Sequence, residues 1–195
     1  MHLWKFTPEL ANRRDKLVRK GYMVFCLFCK TGREITLAEE LNRTYPDYLA
    51  LPFVRAMHRS RLGVRFLEQD ILLAGYIFLY LPESNEDSIM LAAKTGFRIL
   101  GDIDGLKALK GANRDYAAWV LSYGGIIGVS KALRVGSRVK IVDGPLLHIE
   151  GYIAEYSKKN RNCRVQIDVE GKELKAWLPF EWVEAKDEIV GVYRG

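Results

Sequence analysis

Eleven almost wholly apolar residues, Ile71 to Leu81 (ILLAGYIFLYL), are interrupted once, by Gly75. A membrane-spanning helix needs roughly 20 apolar residues, so this run is too short to cross a bilayer. β-Branched and aromatic residues crowd it and Pro82 follows, which predicts a strand in the middle of a sheet. Tyr76, Phe78 and Tyr80 recur at every second position, so a strand sends all three rings out on one face. Two readings stand side by side. Either the rings are core, or they lie on a side of the sheet that no helix covers and form a docking surface for a large partner.

A chain of 195 residues accommodates one or two domains with a real core. Its 49% hydrophobic and 28% charged residues are those of a folded, soluble protein rather than a disordered one. The formal net charge of +6 is compatible with nucleic-acid contact without requiring it. The first twenty residues are charged and broken by Pro8, with no apolar signal-peptide core. A cytoplasmic location and no membrane partner are therefore expected.

Three cysteines, an odd number, argue against a secreted disulfide framework. Cys26 and Cys29 form a CxxC, but zinc needs two further ligands. The remaining candidates, Cys163, His2, His58 and His148, are not paired at metal spacing. A redox CxxC opens a helix, whereas this one lies in YMVFCLFC, a predicted strand that turns the two sulfurs to opposite faces. The cysteines read as structural, with no metal and no cofactor expected. No paired carboxylates, nucleophile triad or phosphate loop marks another catalytic route, so the chain is not expected to be an enzyme.

Read in order, the chain opens with a helix capped by Thr7, started by Pro8 and closed by Gly21. Its apolar stripe (Leu10, Leu17, Val18) is thin, which suggests a loosely attached basic arm. Tyr22–Cys29 is the first strand. A helix follows, marked by Ile35, Leu37, Ala38 and Leu41 at helical spacing and ended by Pro46. Leu49–Ser60 and Gly63–Gln69 read as two strands joined by a basic, exposed tip, Arg59-Ser60-Arg61. After the central strand come a helix from Ser84 or Asn85 to Gly96, a strand Phe97–Gly101, and a last helix around Asn113–Tyr123. The expected domain is α+β, an antiparallel sheet with helices on one side, leaving the other sheet face open. From Leu133 the texture changes to short strands with Gly and Asp turns, which predicts a small all-β five-stranded barrel. The expected boundaries are a helical extension 1–21, the α+β domain 22–125, a linker 126–133, the barrel 134–186 and a tail 187–195.

Within the second half, the run from Gly136 to Pro145 (GSRVKIVDGP), followed by Gly151 and Ile153, resembles a KOW motif: apolar alternation into a tight Asp-Gly-Pro turn, then a glycine opening the next strand. KOW alone also fits ribosomal proteins. In the first half, FCLFCKTGRE, LLAGYIFLYL and KTGFRILG resemble the N-terminal domain of the NusG family of transcription elongation factors. The two in this order, over about residues 22 to 185, identify the chain as similar to that family.

The resemblance implies that the first domain binds the clamp helices of bacterial RNA polymerase through an apolar patch supplied by Phe28, Tyr76 and Phe78. Asp87 and Ser88 would lie near the loop that touches the opposite pincer. Lys30, Lys94 and Arg98 would face upstream DNA, a sequence-independent hold on phosphates. Ala74 replaces the usual proline before Gly-Tyr. Leu146 stands where many members carry an aromatic, in the loop that meets Rho or a ribosomal protein. Together with the basic N-terminus, these departures point to a specialised paralogue of the LoaP and RfaH kind, expected to act as a monomer. A cluster of cations at Lys158, Lys159, Arg161 and Arg164 reads either as a solvated loop or, with Arg138 and Lys140, as a grip on an RNA hairpin. The implied function is processive antitermination without catalysis. The alternatives are a general NusG-type elongation and termination factor, or a ribosome-associated KOW RNA-binding protein.

Overall fold

The computed structural model of the chain describes residues 3–83, 98–99, 108–136, 138–169 and 172–183. The first half runs α1 (Pro8–Lys20), β1 (Tyr22–Phe28), α2 (Glu34–Thr44), β2 (Leu49–Pro52), β3 (Val54–Arg61) and β4 (Val64–Ile71). It continues with β5 (Tyr76–Pro82), β6 (Arg98–Ile99), α3 (Gly111–Ser122) and β7 (Ile126–Ile127). The helix expected from Ser84 or Asn85 lies outside the described residues.

Helix α1 starts and stops as its punctuation predicts. The Thr7 hydroxyl accepts from the Leu10 amide at 3.3 Å, Pro8 fills the first helical turn, and Gly21 follows with φ 84°. It is not the loose arm expected. Leu10 and Leu17 are buried, and Trp4 is 2% exposed, its Nε1 donating to the Gly124 carbonyl at 2.9 Å. Arg13 donates to the Asn42 carbonyl at 2.6 Å and Arg14 to that of Ser122 at 3.3 Å, so α1 is tied to the ends of both α2 and α3. The helical stripe alone understated the attachment, because the largest apolar group lies upstream of the helix.

Two expected strands prove to be composite. In the apolar run, Ile71 ends β4, residues 72–75 turn, and β5 begins at Tyr76. The stretch Leu49–Ser60 breaks at Phe53, whose ring is buried against Tyr116 and Trp119 at centroid distances of 5.6 and 5.8 Å. Before the break, β2 joins a four-stranded antiparallel sheet of order β2-β5-β1-β6; after it, β3 joins a three-stranded sheet of order β4-β3-β7. The outer edge of β2 is sealed by Asn42, whose amide bonds both the N–H and the carbonyl of Ala50 at 2.8 Å. A side-chain amide thus supplies the pairing a neighbouring strand would give.

Antiparallel register puts Val24, Cys26 and Phe28 of β1 opposite Tyr80, Phe78 and Tyr76 of β5, on one face. That face was expected to be open, and α3 covers most of it. Phe78 meets Tyr116 edge-on at 6.2 Å, and the Tyr80 hydroxyl donates to the Ala117 carbonyl at 2.7 Å. On the other face Ile77, Leu79 and Leu81 are buried too.

The second half contains β8 (Ser130–Val135), β9 (Arg138–Asp143), a 3₁₀ segment Pro145–Tyr152, β10 (Ile153–Ser157), β11 (Asn162–Val169) and β12 (Lys172–Trp182). The five strands form a half-barrel of order β10-β11-β12-β8-β9, with β12 and β8 parallel. Five strands were expected, divided differently: one expected strand splits into β8 and β9, and β12 absorbs two. Within the stretch 126–133, expected as a linker, β7 pairs with β3 and Ser130 is fully buried at the start of β8.

The halves pack together. Trp119 of α3 donates through Nε1 to the Pro145 carbonyl at 2.9 Å, and Leu146 beside it is 0% exposed, its N–H held by the Ser130 hydroxyl at 3.0 Å. Leu146 therefore offers no surface to a protein partner in this arrangement. The Asp-Gly-Pro turn before it requires glycine: Gly144 has φ 90°, and an added Cβ would lie 2.8 Å from the Ser130 Cα.

Candidate docking site and basic surfaces

Of the three rings expected to form an apolar patch, two are brought together in the open. Phe28 closes β1 and is 44% exposed; Tyr76 opens β5 directly across the ladder and is half-buried. Their rings meet edge-on at 5.5 Å, a geometry aromatic quadrupoles favour. Phe78 is the correction. It is 1% exposed under α3, because two steps along the strand carry it from the sheet's end to beneath Tyr116.

The open pair stands on a rigid base that the sequence reading missed. Glu34, the first residue of α2, is 1% exposed; one carboxylate oxygen accepts from the Gly32 amide at 2.8 Å and the other from the Gly75 amide at 2.7 Å. Gly75 in turn accepts from the Cys29 amide at 2.8 Å. With φ 84° it lets the chain pass beneath the Phe28 ring, where an added Cβ would come within 3.3 Å of Cε2. One buried carboxylate thus pins the loop after β1 to the turn before β5, and so fixes both rings. The only sequence signal was an acid two residues after a loop glycine, which also reads as an ordinary first-turn acid. Replacing Glu34 by alanine strands two amides and is expected to lower unfolding free energy by about 2–3 kcal/mol. Urea unfolding measures the loss, and faster hydrogen exchange at the Gly75 amide reports where it falls.

Beside the pair opens a groove of about 430 Å³ lined by Cys29, Lys30, Thr31, Gly32, Arg33, Leu37 and Glu40. Lys30 is exposed on its rim, and Arg33 pairs with Glu40 at 3.3 Å. Arg98 occupies the β6 position opposite Phe28, next to the same platform. Asp87, Ser88 and Lys94 lie outside the described residues.

The cations expected to grip an RNA hairpin come from several strands of the half-barrel. Lys158, Lys159 and Arg161 are exposed in the β10–β11 turn, where the Phe180 amide of β12 donates to the Arg161 carbonyl at 2.9 Å. Arg138 sits at the far end of β9, opposite Val135. Along β8, Ser130 at the level of Phe180 and Val135 at the level of Arg138 are five residue steps apart, roughly 17 Å at strand rise. Lys140 is exposed midway along β9, at the opposite sheet edge from β10. Arg164 is half-buried and ion-paired to Glu155 at 3.2 Å.

The cysteines are buried, and burial governs their chemistry. Desolvation, reinforced by the nearby Glu34 charge, pushes the Cys29 thiol up to about 11, and burial pushes Cys163 up to about 12. At pH 8 a thiol of the first kind is about one part in a thousand thiolate, the nucleophilic form. A disulfide reagent at that pH is expected to leave native protein essentially unlabelled and to modify all three thiols in denaturant. Among the described residues no group of three or more His, Cys, Asp or Glu is placed to hold a metal ion, and no helix is long and apolar enough to cross a membrane.

No protein-family model matches the chain, and no curated protein matches it either. Among solved structures, one described as "Domain interaction in Thermotoga maritima NusG" aligns over 82% of this chain and 94% of that one, at 14% identity and a TM-score of 0.42. At that identity and score the likeness carries nothing about function.

Proposed function

We propose that the chain is a bacterial transcription elongation factor that binds RNA polymerase through the Phe28–Tyr76 platform and promotes processive antitermination at particular operons, without catalysis of its own. The single observation that carries this is the pair itself. Two aromatic rings stay open at the end of an otherwise buried sheet, on a base held by Glu34 and Gly75. Rigid, partly exposed aromatics are what a helix-docking hot spot uses, because their contact area comes at little cost in side-chain freedom. The groove from Lys30 to Glu40 is lined by the residues that follow Phe28 in the chain, with Lys30 exposed among them, and Arg98 takes the β6 register position opposite Phe28; the two cations would suit upstream DNA. Lys94 would add to that charge. Held so, the clamp stays closed over upstream duplex, and pausing and hairpin-induced release are suppressed.

Transcription through a terminator with purified polymerase, free of ribosomes, tests this. Readthrough should rise when the protein is added, and unchanged readthrough on every template, its own leader included, would overturn the antitermination role. The exposed turn Lys158–Arg161 favours a second reading, a ribosome-associated RNA-binding protein. Co-purification separates the two: polymerase without ribosomes supports the first, ribosomes without polymerase the second.

A further inference from the structure

The β3–β4 hairpin ends in a two-residue loop, Leu62-Gly63, between Arg61 and Val64. Both loop residues have positive φ, 52° and 78°. That sign pattern belongs to the type I′ turn, whose first centre position favours asparagine, aspartate or glycine. Leucine is strained there, since its Cβ crowds the following carbonyl in the left-handed region. No packing compensates: Leu62 is 96% exposed. Below it on the strand, at spacing two, Val64 and Phe66 are 66% and 41% exposed. A solvent-facing leucine in a position that suits asparagine is not explained by folding.

The charge around it narrows the partner. Segment 59–66, RSRLGVRF, holds three arginines and no acid. Arg61 stands opposite Val64, Arg59 opposite Phe66, and Arg65 opposite Ser60. Cations with an aliphatic tip on a two-stranded ribbon form the combination that enters a DNA groove, the arginines against phosphates and the apolar tip wedged into a base step. We propose that this hairpin is a DNA-binding arm, in which Leu62 partly unstacks a base step of duplex DNA while Arg59, Arg61 and Arg65 hold the backbone. The arm belongs to the three-stranded sheet, apart from the Phe28–Tyr76 platform, and needs no polymerase to act.

The test uses the full chain and a short DNA duplex carrying 2-aminopurine, with anisotropy followed across a salt series and polymerase absent. Wild-type protein should bind and raise the 2-aminopurine emission as the base unstacks. Leu62→Asn suits the turn better, so its thermal stability should match or exceed wild type, yet the emission rise should vanish. The triple variant Arg59→Ala, Arg61→Ala, Arg65→Ala should bind at least about tenfold more weakly and flatten the log–log salt slope by about 2–3. Wild-type emission from Leu62→Asn, an unchanged salt slope in the triple variant, or no duplex binding at low salt would each overturn the proposal. So would hairpin-dependent binding to anionic phosphatidylglycerol vesicles with none to DNA. Since polymerase is absent, failure here leaves the docking platform untouched.

Discussion

Phe78→Ala is expected to lower unfolding free energy by about 3–5 kcal/mol, the cost of truncating a buried phenylalanine where the surroundings relax only in part. For a chain of this size that corresponds to a melting temperature lower by roughly 6 to 20 °C. The ring is 1% exposed and is hemmed in by Tyr116 and by its ladder neighbours Cys26 and Leu51. Phe53 packs against the same Tyr116 ring, and all of these neighbours are themselves buried. Folded Phe78→Ala protein, assayed well below its melting point, should hold polymerase as wild type does. A loss below about 1 kcal/mol, within the range of surface substitutions, would mean that the ring is not buried as described.

Phe78 also marks where the sequence ceased to be legible. Spacing two along a strand predicts which side chains share a face, and Tyr76, Phe78 and Tyr80 do share one. It does not say how far a helix from elsewhere in the chain reaches along that face. Helix α3 reaches Tyr80 and Phe78 and stops short of Tyr76, so one row of aromatics is core at one end and surface at the other. The α1 caps and the Asp-Gly-Pro turn were readable because they depend on local backbone chemistry, and α2 and α3 were readable as helices though not to their first residues, since neither has a side-chain N-cap to mark its start. The split at Phe53, the attachment of Trp4 and the clamp made by Glu34 were not, since each depends on a partner tens of residues away.

Phe28→Ala is the converse case, with a small effect on stability and a large one on association. At 44% exposure the ring adds little to the core, and Tyr76 beside it is half-buried. A ring that becomes fully covered at a helix-docking hot spot is worth about 2 kcal/mol or more on truncation. That is about a 30-fold loss of affinity. The double variant Phe28→Ala, Tyr76→Ala should lose at least about 100-fold, short of strict additivity because the two rings touch.

Titrating labelled protein with core RNA polymerase measures this directly, with the double variant and wild type compared at matched folded fraction. Polymerase docking at this platform predicts tight binding by wild type and none detectable for the double variant over the same range. Equal affinities would contradict it.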